Sequence, residues 1–259
     1  MFQAADAARY LDEAHRTRAR YENLPDAIAP KSVAEAYTVQ AALCDLWRPR
    51  LGAVVGLKIA TTTKVMQALM GIDHPCMGTI FASRVHASPA TIAKADYINV
   101  RIECELAVKI GRDLPKAATP YTRESVRAAV NHIMPAFELI EDRFADYKTS
   151  KALSLIADNA WNGGIVLGAA KPLPADLDLN GIQGVLKSNG KEAGNGKTDD
   201  PLGALAWLAN QAADVGRPMW AGMVAITGSV MVTVDIARGE RLDFALEGVG
   251  EVSLTATLM

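Results

Sequence analysis

The amino-acid sequence predicts an α+β fold, on three observations. The segment Arg101–Ile110 alternates: Ile102, Cys104, Leu106, Val108 and Ile110 fall on one side, and Glu103, Glu105 and Lys109 on the other. A period of two is what a β-strand imposes. After Pro218 the chain breaks into short β-prone runs punctuated by Gly239, Gly248 and Gly250, the pattern of successive strands and turns. Helical spacing is concentrated near the N-terminus and does not recur after every strand, as a parallel α/β sheet would require.

Taken in order, residues 3–22 are Ala-rich with helical spacing, and Pro25 and Pro30 stop that helix. Ser32-Val33-Ala34-Glu35 has capping-box form and opens a second helix to about Trp47, with Val33, Tyr37, Leu43 and Leu46 as core contacts. Pro49 and Gly52 end it. Residues 1–52 are expected to form a small N-terminal helical layer and residues 53–259 the main domain. Val54 to Ile59 reads as a strand, Thr62 or Thr63 caps a short helix stopped by Gly71, and Ile72 to Gly78 reads as a loop. Ile80 to Ala90 is mixed strand and turn. Thr122 is expected to open a helix through about Ile133, ended by Pro135. Strands follow at Gly163–Gly168 and Leu179–Lys187, then a turn at Ser188-Asn189-Gly190. Asp200-Pro201 starts a helix to about Asp214. The tail supplies strands at Val224–Thr227, Val230–Ile236, Leu242–Leu246 and Val252–Leu258.

Composition excludes several classes. At 259 residues, half of them hydrophobic and 22% charged, the chain is an ordinary globular one of a single large domain or one and a half. A net charge of −2 and a pI near 6.1 give no basic field for nucleic acid. Apolar runs fall short of a membrane span, and Met1 to Asp6 lacks the regions of a secretory signal. Cys44, Cys76 and Cys104 are odd in number and widely spaced, which predicts packed thiols in a reducing cytoplasm.

The chemistry centres on carboxylates. Glu103 and Glu105, at i and i+2, stand side by side on one strand face, and shielded from water each anion disfavours the other. A hard divalent cation would hold them; an exposed, solvated strand face is the alternative. Glu138 lies inside the apolar run Ile133–Ile140, where a carboxylate needs a partner unless the strand turns a polar edge outward. Lys58 lies between Leu57 and Ile59 in an apolar strand, as a pocket group or a snorkelling side chain. Asp73 and Asp158 are candidates for moving protons, with turn-capping readings for Asp73 and for Asp158-Asn159 beside that. His74 suggests a base in a loop that need not be catalytic. Thr227-Gly228 offers backbone donors to a substrate, or is a plain strand end.

These residues fall in an ordered set of motifs: Gly56-Leu57-Lys58-Ile59, Gly71-Ile72-Asp73-His74-Pro75 through Gly78, and Arg101 to Ala107. Pro135-Ala136-Phe137-Glu138, Ala157-Asp158-Asn159-Ala160, Ala206 to Asn210 and Ala221 to Gly228 complete it. From about residue 30 onward the sequence resembles the 2-keto-4-pentenoate hydratase / 4-oxalocrotonate decarboxylase family of the fumarylacetoacetate hydrolase superfamily. The resemblance implies a mixed β-roll core beneath the helical layer. It implies Glu103, Glu105 and Glu138 as ligands of Mg²⁺ or Mn²⁺, Lys58 at the pocket beside a substrate carboxylate, and a homo-oligomer. His74, Asn159, Trp161 and Thr227 would contact substrate. The implied reaction is hydration of a short 2-hydroxy-2,4-dienoate to a 4-hydroxy-2-oxoacid, in aromatic catabolism. Decarboxylation of a 2-oxo dicarboxylate is the alternative, with Arg143, Lys148 and Lys151 as candidate cations, all expected to be solvated. A non-catalytic 2-oxo-acid-binding paralogue is another, and a C–C hydrolase lacks its His–Glu pair here. Three positions depart from the family pattern: Trp161 where a small residue is common, Ala60 where Gly is usual, and Thr198-Asp199-Asp200-Pro201. Trp161 facing the pocket would imply a short or flat substrate.

Overall fold

The computed structural model describes residues 2–257, so the expected strand residue Leu258 lies outside the described part. The N-terminal layer consists of α1 (Ala4–Arg16) and α2 (Val33–Leu51). There follow β1 (Val54–Ala60), α3 (Lys64–Met70), β2 (Cys76–Phe81), β3 (Val85–Ala87), β4 (Ala90–Ala93) and β5 (Val100–Ile110). Next come α4 (Arg123–Arg127), β6 (Val130–Glu141), α5 (Ala152–Ala157), β7 (Asn162–Leu167) and β8 (Lys171–Pro172). The chain ends with β9 (Gln183–Ser188), β10 (Lys191–Lys197), α6 (Pro201–Asp214), β11 (Val224–Ser229), β12 (Val234–Asp235), β13 (Arg241–Leu246) and β14 (Gly250–Thr257).

Among the described residues the strands form two sheets. The larger runs β2-β1-β11-β5-β6-β7-β3, with β12 also on β5 and β8 on β6; the smaller runs β10-β9-β13-β14-β4. The two meet through one core in which Phe137 of the first sheet lies 6.1 Å from Phe244 of the second, ring to ring. This is the expected α+β roll. None of the helices is long and apolar enough to cross a membrane, among the described residues.

Several boundaries differ from expectation. The first helix stops at Arg16 because Arg18 turns left-handed, at φ 57°. The second continues through Pro49 to Leu51 and stops at Gly52, φ 83°, and Leu46 is 45% exposed rather than in the core. The expected loop before Gly78 already contains strand: Cys76 and Met77 pair with Ala60 and Ile59.

The largest correction is at 122–133, where the helix is one turn and a half and β6 begins at Val130. Pro135 lies inside that strand. Its carbonyl accepts from Gly168 N–H, so its nitrogen faces the same side, in the gap between the stretches of β6 paired with β8 (His132, Ile133) and with β7 (Ala136–Ile140). No ladder hydrogen bond is lost there, which is where a sheet tolerates proline. The expected 179–187 strand begins only at Gln183, and the polar β10 beside it is an edge strand with no hydrophobic alternation. The expected 230–236 strand shrinks to β12.

Candidate functional site

β5 and β6 run antiparallel with Glu103 opposite Glu138, and Glu105 opposite Ala136. Alternation places Glu103, Glu105 and Glu138 on one sheet face. Their carboxylates converge, with one oxygen from each within 4.8 Å of the others. Glu105 and Glu138 are fully buried. On the other side of β5 the register slips between Ile226 and Ser229 of β11. That slip aims the Gly228 N–H at Glu105 Oε2, 2.7 Å away. Thr233 Oγ donates to Glu103 Oε1 at 2.5 Å, and Asn162 Nδ2 to Glu138 Oε1 at 3.0 Å. Each carboxylate is thus oriented by a neighbour, as ligating carboxylates commonly are.

Lys58 on β1 reaches the same point. Its Nζ lies 3.1 Å from Glu138 Oε1 and donates to the Ala160 carbonyl at 3.1 Å. The ammonium is 2% exposed as a residue, so it is a pocket group and does not snorkel. Its path depends on Gly78, its partner on β2. A Cβ there would stand 2.9 Å from Lys58 Cγ and 2.6 Å from the Asn159 carbonyl.

Electrostatically the site is short of positive charge. Burial, with Glu138 and Glu103 close by, pushes the Glu105 carboxyl well above the ordinary range. Burial raises Glu138 less, to about 7, because Lys58 opposes it. Burial alone would lower Lys58, but Glu138, Glu103 and Glu105 outweigh it and the ammonium is held above its ordinary value. Two carboxylate oxygens, Glu105 Oε1 and Glu138 Oε2, are buried without a hydrogen-bond partner. Orphaned buried anionic oxygens around one point are the donor set of a hard cation: all oxygen, three carboxylates, one lysine in reserve.

Through Glu103 and Lys58 the site borders a cavity of about 590 Å³. Its wall includes Lys58, Ala60, Arg101, Glu103, Tyr147, Trp161, Gly228 and Thr233. Of the expected substrate contacts, the structure brings Lys58 and Trp161 to it. Asn159 and Thr227 stay behind the wall. Asn159 exchanges three hydrogen bonds with Thr79 (2.7–2.9 Å), and Thr227 Oγ donates to the Leu106 carbonyl at 2.9 Å.

Asp73 is exposed on the turn after α3, where its backbone oxygen faces Lys64. His74 contacts its neighbour's carbonyl at 2.7 Å and stacks on Trp207. Neither lines the cavity; the Gly71 turn carries both outward. Asp158 is buried outside the cavity in a clamp of its own, 2.6 Å from Arg143 Nη2 and 2.6 Å from His15 Nε2. Burial would raise its carboxyl, but His15 and Arg143 outweigh that and hold it below the ordinary range. Arg143 is therefore not solvated. Lys148 is exposed, and Lys151 pairs with Asp26 at 3.5 Å. Of the departures, Ala60 lines the cavity, whereas Asp200 caps α6 and pairs with Arg123 away from it.

Between the clamp and the cavity the backbone is strained. Asn159, Ala160 and Trp161 all have positive φ, at 52°, 47° and 55°, a conformation that costs non-glycine residues energy and persists only when over-determined. Asp158 and Asn159 hold its start, and Trp161 its end, wedged edge-on between Tyr21 (4.9 Å) and Tyr147 (5.2 Å). The product of the strain is the Ala160 carbonyl aimed at Lys58.

Sequence reasoning missed Arg101, Asn162 and the Asp158 partner His15. Arg101 was within reach, since it lies two residues before Glu103 in the alternating strand and so on the same face. Asn162 and His15 depend on long-range packing and left no local signal.

The fumarylacetoacetate (FAA) hydrolase C-terminal family matches residues 59–256. The chain is 32% identical over 257 residues to 2-keto-4-pentenoate hydratase 2 of Dechloromonas aromatica, covering 97% of each chain. It is 33% identical over 253 residues to 2-hydroxyhexa-2,4-dienoate hydratase of Comamonas testosteroni, covering 95% of each. Its fold superposes on 4-oxalocrotonate decarboxylase from Pseudomonas putida G7, complexed with magnesium and adipate, with a TM-score of 0.88 and 24% identity over 98% of this chain and 97% of that one.

Proposed function

This chain belongs to the fumarylacetoacetate hydrolase family, and we propose that it is a divalent-metal-dependent hydratase. It adds water to a 2-hydroxy-2,4-dienoate to give a 4-hydroxy-2-oxoacid, in the breakdown of aromatic compounds. The hydratases it resembles at 32–33% identity over nearly their whole length support the reaction class. The observation that carries the site is the convergence of Glu103, Glu105 and Glu138 with two unpartnered oxygens beside Lys58.

Those three carboxylates would hold Mg²⁺ or Mn²⁺. When bound, the ion supplies Lewis-acid stabilisation of an enolate. The chain's own groups do the rest. Lys58 has three donors; two are spent on Glu138 and Ala160, leaving one for the substrate carboxylate. Gly228, Thr233 and Asn162 fix the carboxylate rotamers before substrate arrives, so little reorganisation is left for the reaction itself. The dienol then shifts a proton to become an enone, and water adds at C4. We propose a homo-oligomer in the cytoplasm, which three buried free thiols suit.

Purified protein with Mg²⁺ is expected to bleach the dienoate absorbance and form a 4-hydroxy-2-oxoacid. No turnover of any such dienoate with metal present removes the reading. One observation favours decarboxylation as a second reading: Arg101 lines the cavity and could meet a distal carboxylate. Release of CO₂ from 4-oxalocrotonate without hydration of dienoates would establish it.

A further inference from the structure

The register of β5 on β6 says what lies beyond the carboxylates. Arg101 is opposite Ile140, as Glu103 is opposite Glu138. One pleat further along the same face, ~7 Å on, the wall changes from carboxylate to Ile140. Ile140 is part of one contiguous buried cluster with Met70, Leu155 and Trp161, against which Met66 and Tyr147 pack. All of these six line the cavity. The apolar surface continues to the mouth, where Met231 and Val232 line the rim and Val232 is 83% exposed.

Charge and volume agree. Lys58 and Arg101 are the cations of the described wall. Lys58, already on Glu138 and Ala160, has its one remaining donor for the acid head, and Arg101 Nε is 2.9 Å from Asp235 Oδ1. A five-carbon dienoate has eight heavy atoms and would fill roughly 200 Å³, taking each atom as somewhat smaller than a water's ~30 Å³ share. The cavity is about 590 Å³. Trp161 therefore walls the space without closing it, contrary to the expectation of a short substrate. Met66 and Met70 supply adaptable thioethers on the facing helix.

We propose that this site takes 2-oxo and 2-hydroxydienoic acids whose far end carries an apolar group of about four or more carbons, seated against Ile140, Leu155, Met66 and Trp161. This rests on the carboxylate trio binding the α-oxo acid head, as in the reading above.

Binding of unreactive substrate mimics tests it apart from turnover. Saturated 2-oxo acids with tails lengthened one methylene at a time are titrated calorimetrically into protein with Mg²⁺. Kd is expected to fall about 4-fold per methylene, the equivalent of ~0.8 kcal/mol each, or roughly 250-fold across four. Met66→Ala and Trp161→Ala should each flatten that slope. Met66 is half-buried on a surface helix, so its variant keeps the test usable if the tryptophan variant fails to fold. A Kd independent of tail length, or tighter binding of the 2-oxo acid ending in a carboxylate than of its alkyl counterpart, overturns the proposal. A rising affinity in protein that hydrates no dienoate would sustain it while removing the hydratase reading.

Discussion

Replacing Glu105 by Gln should stabilise the metal-free protein and cripple the metal-bound one. Glu105 is fully buried, and its ligand oxygen lies within 4.8 Å of those of Glu103 and Glu138. At an effective dielectric of about 20, each such like-charge pair costs about 3 kcal/mol or more. Lys58 offsets roughly one of the two pairs, which leaves about 3 kcal/mol of repulsion relieved by the amide. The glutamine oxygen can still accept from Gly228, and its NH₂ becomes a donor toward the remaining carboxylates.

The pH dependence follows from the sign of the shift. The Glu105 carboxyl is raised in the folded state. Below its unfolded value it is neutral in both states, and no penalty exists. The penalty grows as pH rises toward the folded value and is complete above it. Scanning calorimetry in EDTA should find equal Tm values near pH 4. At pH 8.5 the variant should be higher by roughly 6–12 °C, at 2–4 °C per kcal/mol for a chain of this size. With Mg²⁺ the order reverses, because only the parent gains ligand stabilisation, and Mg²⁺ affinity should drop at least about 100-fold. A variant less stable than the parent without metal would refute the burial argument, and one that binds Mg²⁺ as before would refute the ligand assignment.

Lys58→Met removes a buried charge partner of the substrate carboxylate and is expected to lower kcat/KM for the dienoate by roughly 30–1000-fold, ~2–4 kcal/mol, measured by bleaching at saturating Mg²⁺. Asp158→Asn leaves Arg143 buried without its carboxylate and should cost about 3–5 kcal/mol in urea unfolding. Because the Asp158 carboxyl is depressed in the fold, that contribution is present above its unfolded value near 3.8 and lost as pH falls through the folded one, so parent and variant converge in acid. Asp73→Asn, at an exposed turn, should leave kcat/KM within about 2-fold, in keeping with the ~0.5 kcal/mol of an ordinary surface change; a loss of 10-fold would return Asp73 to the proton path.

The parts of the site that a reader of sequence can find are those with a local pattern. Glu103 and Glu105 stand out because alternation forces them to one face, and Glu138 because a carboxylate in an apolar run needs a reason. What alternation cannot supply is register. Glu103 faces Glu138 only because a long connection, with a short helix in it, happens to close there. Pro135 looked like a helix stop because its missing N–H is costly in most strands; the gap between β7 and β8 that excuses it is a property of two other segments. β10 carries Glu192, Gly194, Asn195 and Gly196, so nothing in its composition announces a strand; its neighbour β9 imposes it. Asp158 looked catalytic for a sound reason, burial, but its partner His15 is 143 positions away.

That last contact ties the first helix to the chemistry. His15 sits at the end of α1, grips Asp158 just before the left-handed run, and through it fixes where a carbonyl meets the pocket lysine. Amino-acid changes along the outer helix can therefore register as catalytic defects while every group around the ion is untouched. Shuffling helical caps between relatives would have to carry over a matching imidazole, or the lysine would lose its aim.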